Sequence, residues 1–161
     1  MNRRGARVLY QQGYYARNEF TTFDRRAVIS QSRVEAALRY PRLVDDLKLN
    51  VTASAGRTPD RRHQMTVQVN IDPSTLQVTS MGGERLVSLD VGVFCVDRGQ
   101  LVGYIWRRMT LNLDDNRYAQ VLQGGLGFTV IVPLQRSAKQ VKAVVYDYAS
   151  DRVGSALPAV K

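Results

Sequence analysis

Cys95 and His63 are the only cysteine and the only histidine of the chain, so they are the one pair from which a thiol nucleophile and its base could be assembled. Such chemistry needs a thiolate, an imidazole within reach of it and a third group that orients the base. Cys95 follows Val91 and Val93 at a spacing of two, which puts it on the inward face of a strand, where a cysteine behaves as a small inert hydrophobe. His63 stands instead in a polar stretch behind Arg61 and Arg62. Core packing is therefore expected of Cys95, and catalysis is not expected. A single cysteine also excludes a disulfide framework, and with one histidine it excludes an ordinary zinc site.

Carboxylates offer a second route. Asp45-Asp46 and Asp114-Asp115-Asn116 are acidic pairs that invite a calcium or an acid–base reading. Neither has the alternating ligand spacing of a calcium loop, and adjacent side chains point in different directions. Asp114 and Asp115 are better explained as the start of a helix, where a carboxylate accepts orphan amides and meets the positive end of the helix dipole. Gly124-Gly125-Leu126-Gly127 lacks the lysine and the strand-to-helix order of a phosphate loop. No cofactor and no metal are expected.

The remaining candidates concern contact. Tyr104, Trp106, Arg107 and Arg108 lie close together in one strand, whose alternation places Val102, Tyr104 and Trp106 on a common face. An exposed tryptophan beside two arginines suits a glycan, a peptide or a partner domain. Large aromatics are on average highly buried, so core packing is the favoured reading of Trp106. Tyr10, Tyr14 and Tyr15 sit in a separate extended segment, residues 7 to 15, and add a second contact surface.

Charge is unevenly distributed. The formal net charge is +9, of which residues 1 to 42 carry +6 through nine arginines and three acidic residues. The rest of the chain is nearly balanced. Arg3, Arg4, Arg7, Arg17, Arg25 and Arg26 are the candidates for polyanion contact. Basic charge alone is non-specific, and arginines also keep an extended edge soluble, so nucleic acid is the disfavoured partner. No apolar run reaches the ~20 residues of a membrane span, and the first residues have no signal-peptide core.

The elements that must hold these residues are mostly strands. Hydrophobic residues make up 44% and charged residues 23% of 161, which is ordinary for one domain able to bury a core without staples. From Leu47 onward the sequence alternates: Leu47 to Ala53, Met65 to Ile71 and a short strand over Leu76 to Thr79. A long strand with Val87, Leu89, Val91, Val93 and Cys95 inward follows, then a turn at Asp97-Arg98-Gly99-Gln100. The return strand runs from Leu101 to Leu113, with a bulge or change of face expected at Arg107-Arg108. A short helix capped by Asp114 and stopped at Gly124-Gly125 precedes strands over Leu126 to Val132 and Val141 to Tyr148. Val153 to Val160 reads as a final edge strand because of Pro158.

Before Leu47, Ser32-Arg33-Val34-Glu35 fits a capping box that opens a helix over residues 33 to 40, bounded by Pro41. That helix is expected to dock on the strands. The whole reads as mainly β, a two-sheet antiparallel β-sandwich of immunoglobulin or fibronectin-III-like type, with a short N-terminal helix and one short inter-strand helix. A barrel is the alternative. Residues 1–46 form the basic arm and helix, and 47–161 the sandwich domain.

The stretch Arg7-Val8-Leu9-Tyr10-Gln11-Gln12-Gly13-Tyr14-Tyr15-Ala16 resembles the "VRARRGYYA" segment of the bacterial VWFA-related domain proteins of Acidobacterial type. Asn2-Arg3-Arg4-Gly5 is similar to that family's preceding "KRPG" turn, and Asp90 to Gly103 and Val144 to Ser155 to its "VVAVDARGRVVG" and "VRDAASGRVGS" blocks. The resemblance implies the region downstream of a von Willebrand A-like domain in a longer secreted or cell-envelope protein. It implies a non-enzymatic accessory module whose partner is that A-like domain or another chain, with Tyr14 and Tyr15 facing it. Residues 2 to 16 would then be an orphan strand that packs on the sandwich, pairs elsewhere or stays mobile. The metal-binding Asp-x-Ser-x-Ser motif of A-like domains is absent from this sequence, so their metal chemistry does not carry over.

Overall fold

The computed structural model describes residues 25–161. Expectations for Tyr10, Tyr14, Tyr15, Arg3, Arg4, Arg7, Arg17 and the orphan strand lie outside the described residues. The chain runs α1 (Arg25–Arg39), β1 (Leu49–Arg57), β2 (His63–Ile71), β3 (Thr79–Met81), β4 (Glu84–Asp97), β5 (Gln100–Leu113), α2 (Asp115–Gly124), β6 (Leu126–Leu134), β7 (Gln140–Asp147) and β8 (Arg152–Ala156). It is mainly β, with two antiparallel sheets and two helices, consistent with a β-sandwich.

The three-stranded sheet has the order β1-β2-β6. In the five-stranded sheet β4 is central: β5 pairs along one edge, while β3 and then β7 pair along the other, with β8 beyond β7. Alternation does the sorting, since successive side chains of a strand point to opposite faces. Met65, Val67, Val69 and Ile71 of β2 and Val130 and Val132 of β6 meet Val87, Leu89, Val91, Val93 and Cys95 of β4 and Val141, Ala143 and Val145 of β7 in one core.

The five-stranded sheet is buried on its other face as well. α1 lies across β7 and β8, with Val34 and Ala37 packed on Phe94, Val144, Tyr146 and Val153. This explains why β4 and β7 read as nearly continuous apolar runs rather than clean alternations. The expected docking of the N-terminal helix on the strands is observed, and it adds a third layer.

Several expectations are corrected. Ser32-Arg33-Val34-Glu35 is not a helix start, because α1 begins at Arg25 and these residues lie inside it. Glu35 accepts a hydrogen bond from Gln31 Nε2 one turn earlier instead of capping. The missed first turns bury Ser30, a polar residue that an apolar stripe does not reveal. The third strand is Thr79–Met81, whereas Leu76 and Val78 pack against the core from a non-strand segment. The last strand ends at Ala156. The chain then leaves that sheet, and Val160 bridges to Ala53 of β1 in the other one.

The bulge is also displaced. Arg107 and Arg108 pair in regular register with Val91 and Asp90, while Cys95 faces Gly103 and Val96 faces Leu101, leaving Val102 as the extra residue. Val102 turns into the main core, and its carbonyl accepts the amide of Gln135 just past β6. Val102 therefore does not share a face with Tyr104 and Trp106, because one inserted residue reverses the alternation. Turn and cap expectations are met: Arg98 and Gly99 both have positive φ in the two-residue loop joining β4 to β5. Asp114 caps α2 by accepting the Arg117 amide at 2.8 Å.

Candidate functional site

Below the bulge, the outer face of β4 and β5 carries Asp90, Gly92 and Phe94 opposite Arg108, Trp106 and Tyr104. α1 covers only part of this face. A groove of about 720 Å³ remains between the two, walled by Ala27, Ser30, Gln31, Glu35 and Leu38 on the helix side and by Phe94, Tyr104, Trp106 and Arg108 on the sheet side. Gly92 sets how closely its neighbours settle: a Cβ there would lie 2.8 Å from the Phe94 ring and 3.6 Å from Val34 Cγ1. The Phe94 ring is stacked nearly parallel to that of Tyr104, with centroids 6.3 Å apart. Tyr104 remains 61% exposed, and Trp106 is half-buried against the helix-side cluster. Trp106 is thus neither main-core nor fully exposed; it forms part of the groove wall.

The floor of the groove is polar. Asp90 is only 1% exposed, a costly place for a carboxylate unless it is hydrogen-bonded. It accepts from Ser30 Oγ at 2.6 Å and Tyr148 Oη at 2.7 Å, both on Oδ2, and from Arg108 Nε at 3.2 Å on Oδ1. Arg108 Nη2 donates to Tyr148 Oη, and its guanidinium lies over the Tyr148 ring. Three elements thereby converge on this one carboxylate of β4: α1, β5 and the turn after β7. Burial, more than any hydrogen bond, holds the Tyr148 phenol above its ordinary pKa. A serine whose proton is given to a buried aspartate, beside a phenol that resists ionisation, is a clamp and not an activated nucleophile.

Around this clamp α1 is pinned twice more. Arg33 pairs with Asp151, which also accepts from Tyr146 Oη at 2.8 Å. Burial, with the Asp151 hydrogen bond second, pushes the Tyr146 phenol up to about 12. Lys142 Nζ donates to the carbonyls of Ala37, Leu38 and Tyr40 at 2.7, 3.1 and 2.9 Å. These are carbonyls left without intrahelical partners at a helix C-terminus, where a cation is also favoured.

Of the other candidates, Cys95 is completely buried in the main core, and burial raises its thiol to about 11. His63 opens β2, with its Nδ1 3.5 Å from Ser137 Oγ. Asp115 pairs with Arg85, whose guanidinium lies over the Tyr118 ring. Among the described residues no cluster of three or more histidine, cysteine or acidic side chains could hold a metal ion, and no helix is long and apolar enough to cross a membrane. Arg25 and Arg26 are exposed in the first turn of α1. The structure thus brings Tyr104, Trp106 and Arg108 together on one face and puts Arg107 on the opposite one. Ser30, Asp90 and Tyr148 escape sequence reasoning, although an aspartate inside an apolar β4 was a signal that something polar must meet it. Compared with known proteins, the chain matches no protein-family model and no curated protein.

Proposed function

We propose that this chain is a non-enzymatic accessory module that contacts a partner protein through the groove between α1 and β5. The observation that carries the reading is the aromatic wall of Phe94, Tyr104 and Trp106, which the described residues leave uncovered beside a helix that is firmly clamped. Aromatics with a half-exposed arginine are the usual composition of a protein contact surface. The buried thiol and the fully engaged Ser30 and Asp90 support a role in display, not in bond making. The order β1-β2-β6 against β5-β4-β7-β8 supports an immunoglobulin or fibronectin-III-like module. In keeping with the sequence resemblance, the partner is an A-like domain in a secreted or envelope protein.

Trp106 is the sole tryptophan, so its emission reports on the groove. Titration with an A-like domain of the resembled family is expected to shift that emission to shorter wavelength and to saturate. Tyr104→Ser, a change at an exposed position, is expected to weaken binding by roughly tenfold or more, the loss typical of a contact hot spot, while leaving the thermal midpoint unchanged. An unchanged emission with no heat of binding removes the reading.

A further inference from the structure

The edges of the two sheets are closed unequally. The outer edge of β8 is covered by the chain's own residues 44–47, through Ser155 N–H to the Val44 carbonyl and Leu47 N–H to the Val153 carbonyl. The outer edge of β1 is covered by the C-terminal residues, with Ala55 and Lys161 N–H groups bonded to the Lys161 and Ala53 carbonyls. On the remaining flank β6 carries Pro133 one residue before its end, a position with no donor to offer. β5 is different: 14 residues long, it pairs only with β4 among the described residues, and Pro133 and Leu134 of β6 lie against its Gly103. From Tyr104 to Leu113 it presents a row of outward amides and carbonyls.

Its side chains specify what fits. β5 contains two arginines and no acidic residue. Arg107 is exposed and makes no ion pair among the described residues. Directly beside it, on the opposite face, Tyr104 and Trp106 line the groove. Two copies pairing β5 to β5 would bring the arginines of both into one small region, which opposes self-association. An added strand of a partner would instead place alternate side chains over Trp106 and the others next to Arg107.

We propose that the outer edge of β5 accepts an extended acidic segment of the partner protein by strand addition, with apolar side chains facing the groove and carboxylates facing Arg107. The inference rests on the contact reading above and adds its mode. Backbone hydrogen bonds supply affinity in such complexes, and the alternating side chains supply selectivity.

The probe is a synthetic peptide alternating glutamate with valine, compared with its lysine-for-glutamate twin, against the full chain. The acidic peptide is expected to shift Trp106 emission and bind roughly tenfold more tightly than the lysine twin, as expected from cross-strand charge pairs and their like-charge counterparts. Arg107→Glu is expected to invert that order. By amide exchange, every second amide from Tyr104 to Leu113 is expected to gain protection, since alternate amides of an edge strand point away from its partner. Equal binding of the two peptides, or protection that maps elsewhere, overturns the proposal. So does protection of those amides before peptide is added: if independent of concentration it assigns the edge to the chain's own first 24 residues, and if concentration-dependent, to a second copy. An A-like domain that still shifts Trp106 emission while the peptide protects no β5 amide sinks strand addition and leaves the contact reading standing.

Discussion

The inner face of the five-stranded sheet is aliphatic throughout β4, from Val87 to Val93, and closes on Met65, Val67, Val69 and Ile71 without a polar contact to fix it. The outer face carries Ser88, Asp90, Gly92 and Phe94 on β4 and meets a single helix through an apolar cluster of Val34 and Ala37 and, beside it, one buried carboxylate that Ser30 of the helix reaches. The first packing is non-directional and scales with buried area. The second is directional: Ser30 reaches Asp90 only if α1 sits at one height and one rotation. A sheet can therefore take most of its stability from one face and use the other to set where a helix stops, which here leaves β5 paired only with β4 among the described residues.

The largest test of this contrast is Leu89→Ala on the inner face. It should cost about 2–5 kcal/mol, the range for a large core side chain replaced by alanine, measured by denaturant unfolding as a single cooperative transition. A small loss would mean that the inner face is not the main source of stability.

Asp90→Ala should cost less, about 1–3 kcal/mol, because it removes the charged acceptor that Ser30 and Tyr148 share, leaving Ser30 the Ala27 carbonyl, while Arg108 is half-exposed. Its signature is regional: amide exchange should accelerate in α1 well before it does in β2. Equal acceleration in both would show that the helix and the sandwich unfold as one and would erase the distinction.

The smallest effect is the pH dependence of the outer face. The Tyr146 phenol is raised to about 12 from a reference value of 10.0. A raised pKa means that the stability linked to the protonated phenol is fully present below pH 10 and is lost as pH rises through about 12. The difference in stability between the native chain and Tyr146→Phe should therefore hold steady up to pH 10 and shrink between pH 10 and 12. A constant difference across that window would show that neither burial nor the Asp151 hydrogen bond raises the Tyr146 phenol.

The alternation after Leu47 determined by itself which residues enter the main core, because a period of two leaves a half-buried strand little choice of face. Turn and cap chemistry was equally local: Gly99 and Asp114 act within a few residues of themselves, and their roles are legible from type and position. Cys95 followed from the same alternation. The groove was not legible. Its position depends on Val102 being the inserted residue, and that is fixed by the amide of Gln135, more than thirty residues away. The extent of α1 depends on Ser30 finding Asp90 across sixty residues. Local periodicity can report how a strand divides its side chains between two faces. Only the assembled layers decide what each face meets, because a polar residue can be buried only where distant partners satisfy it.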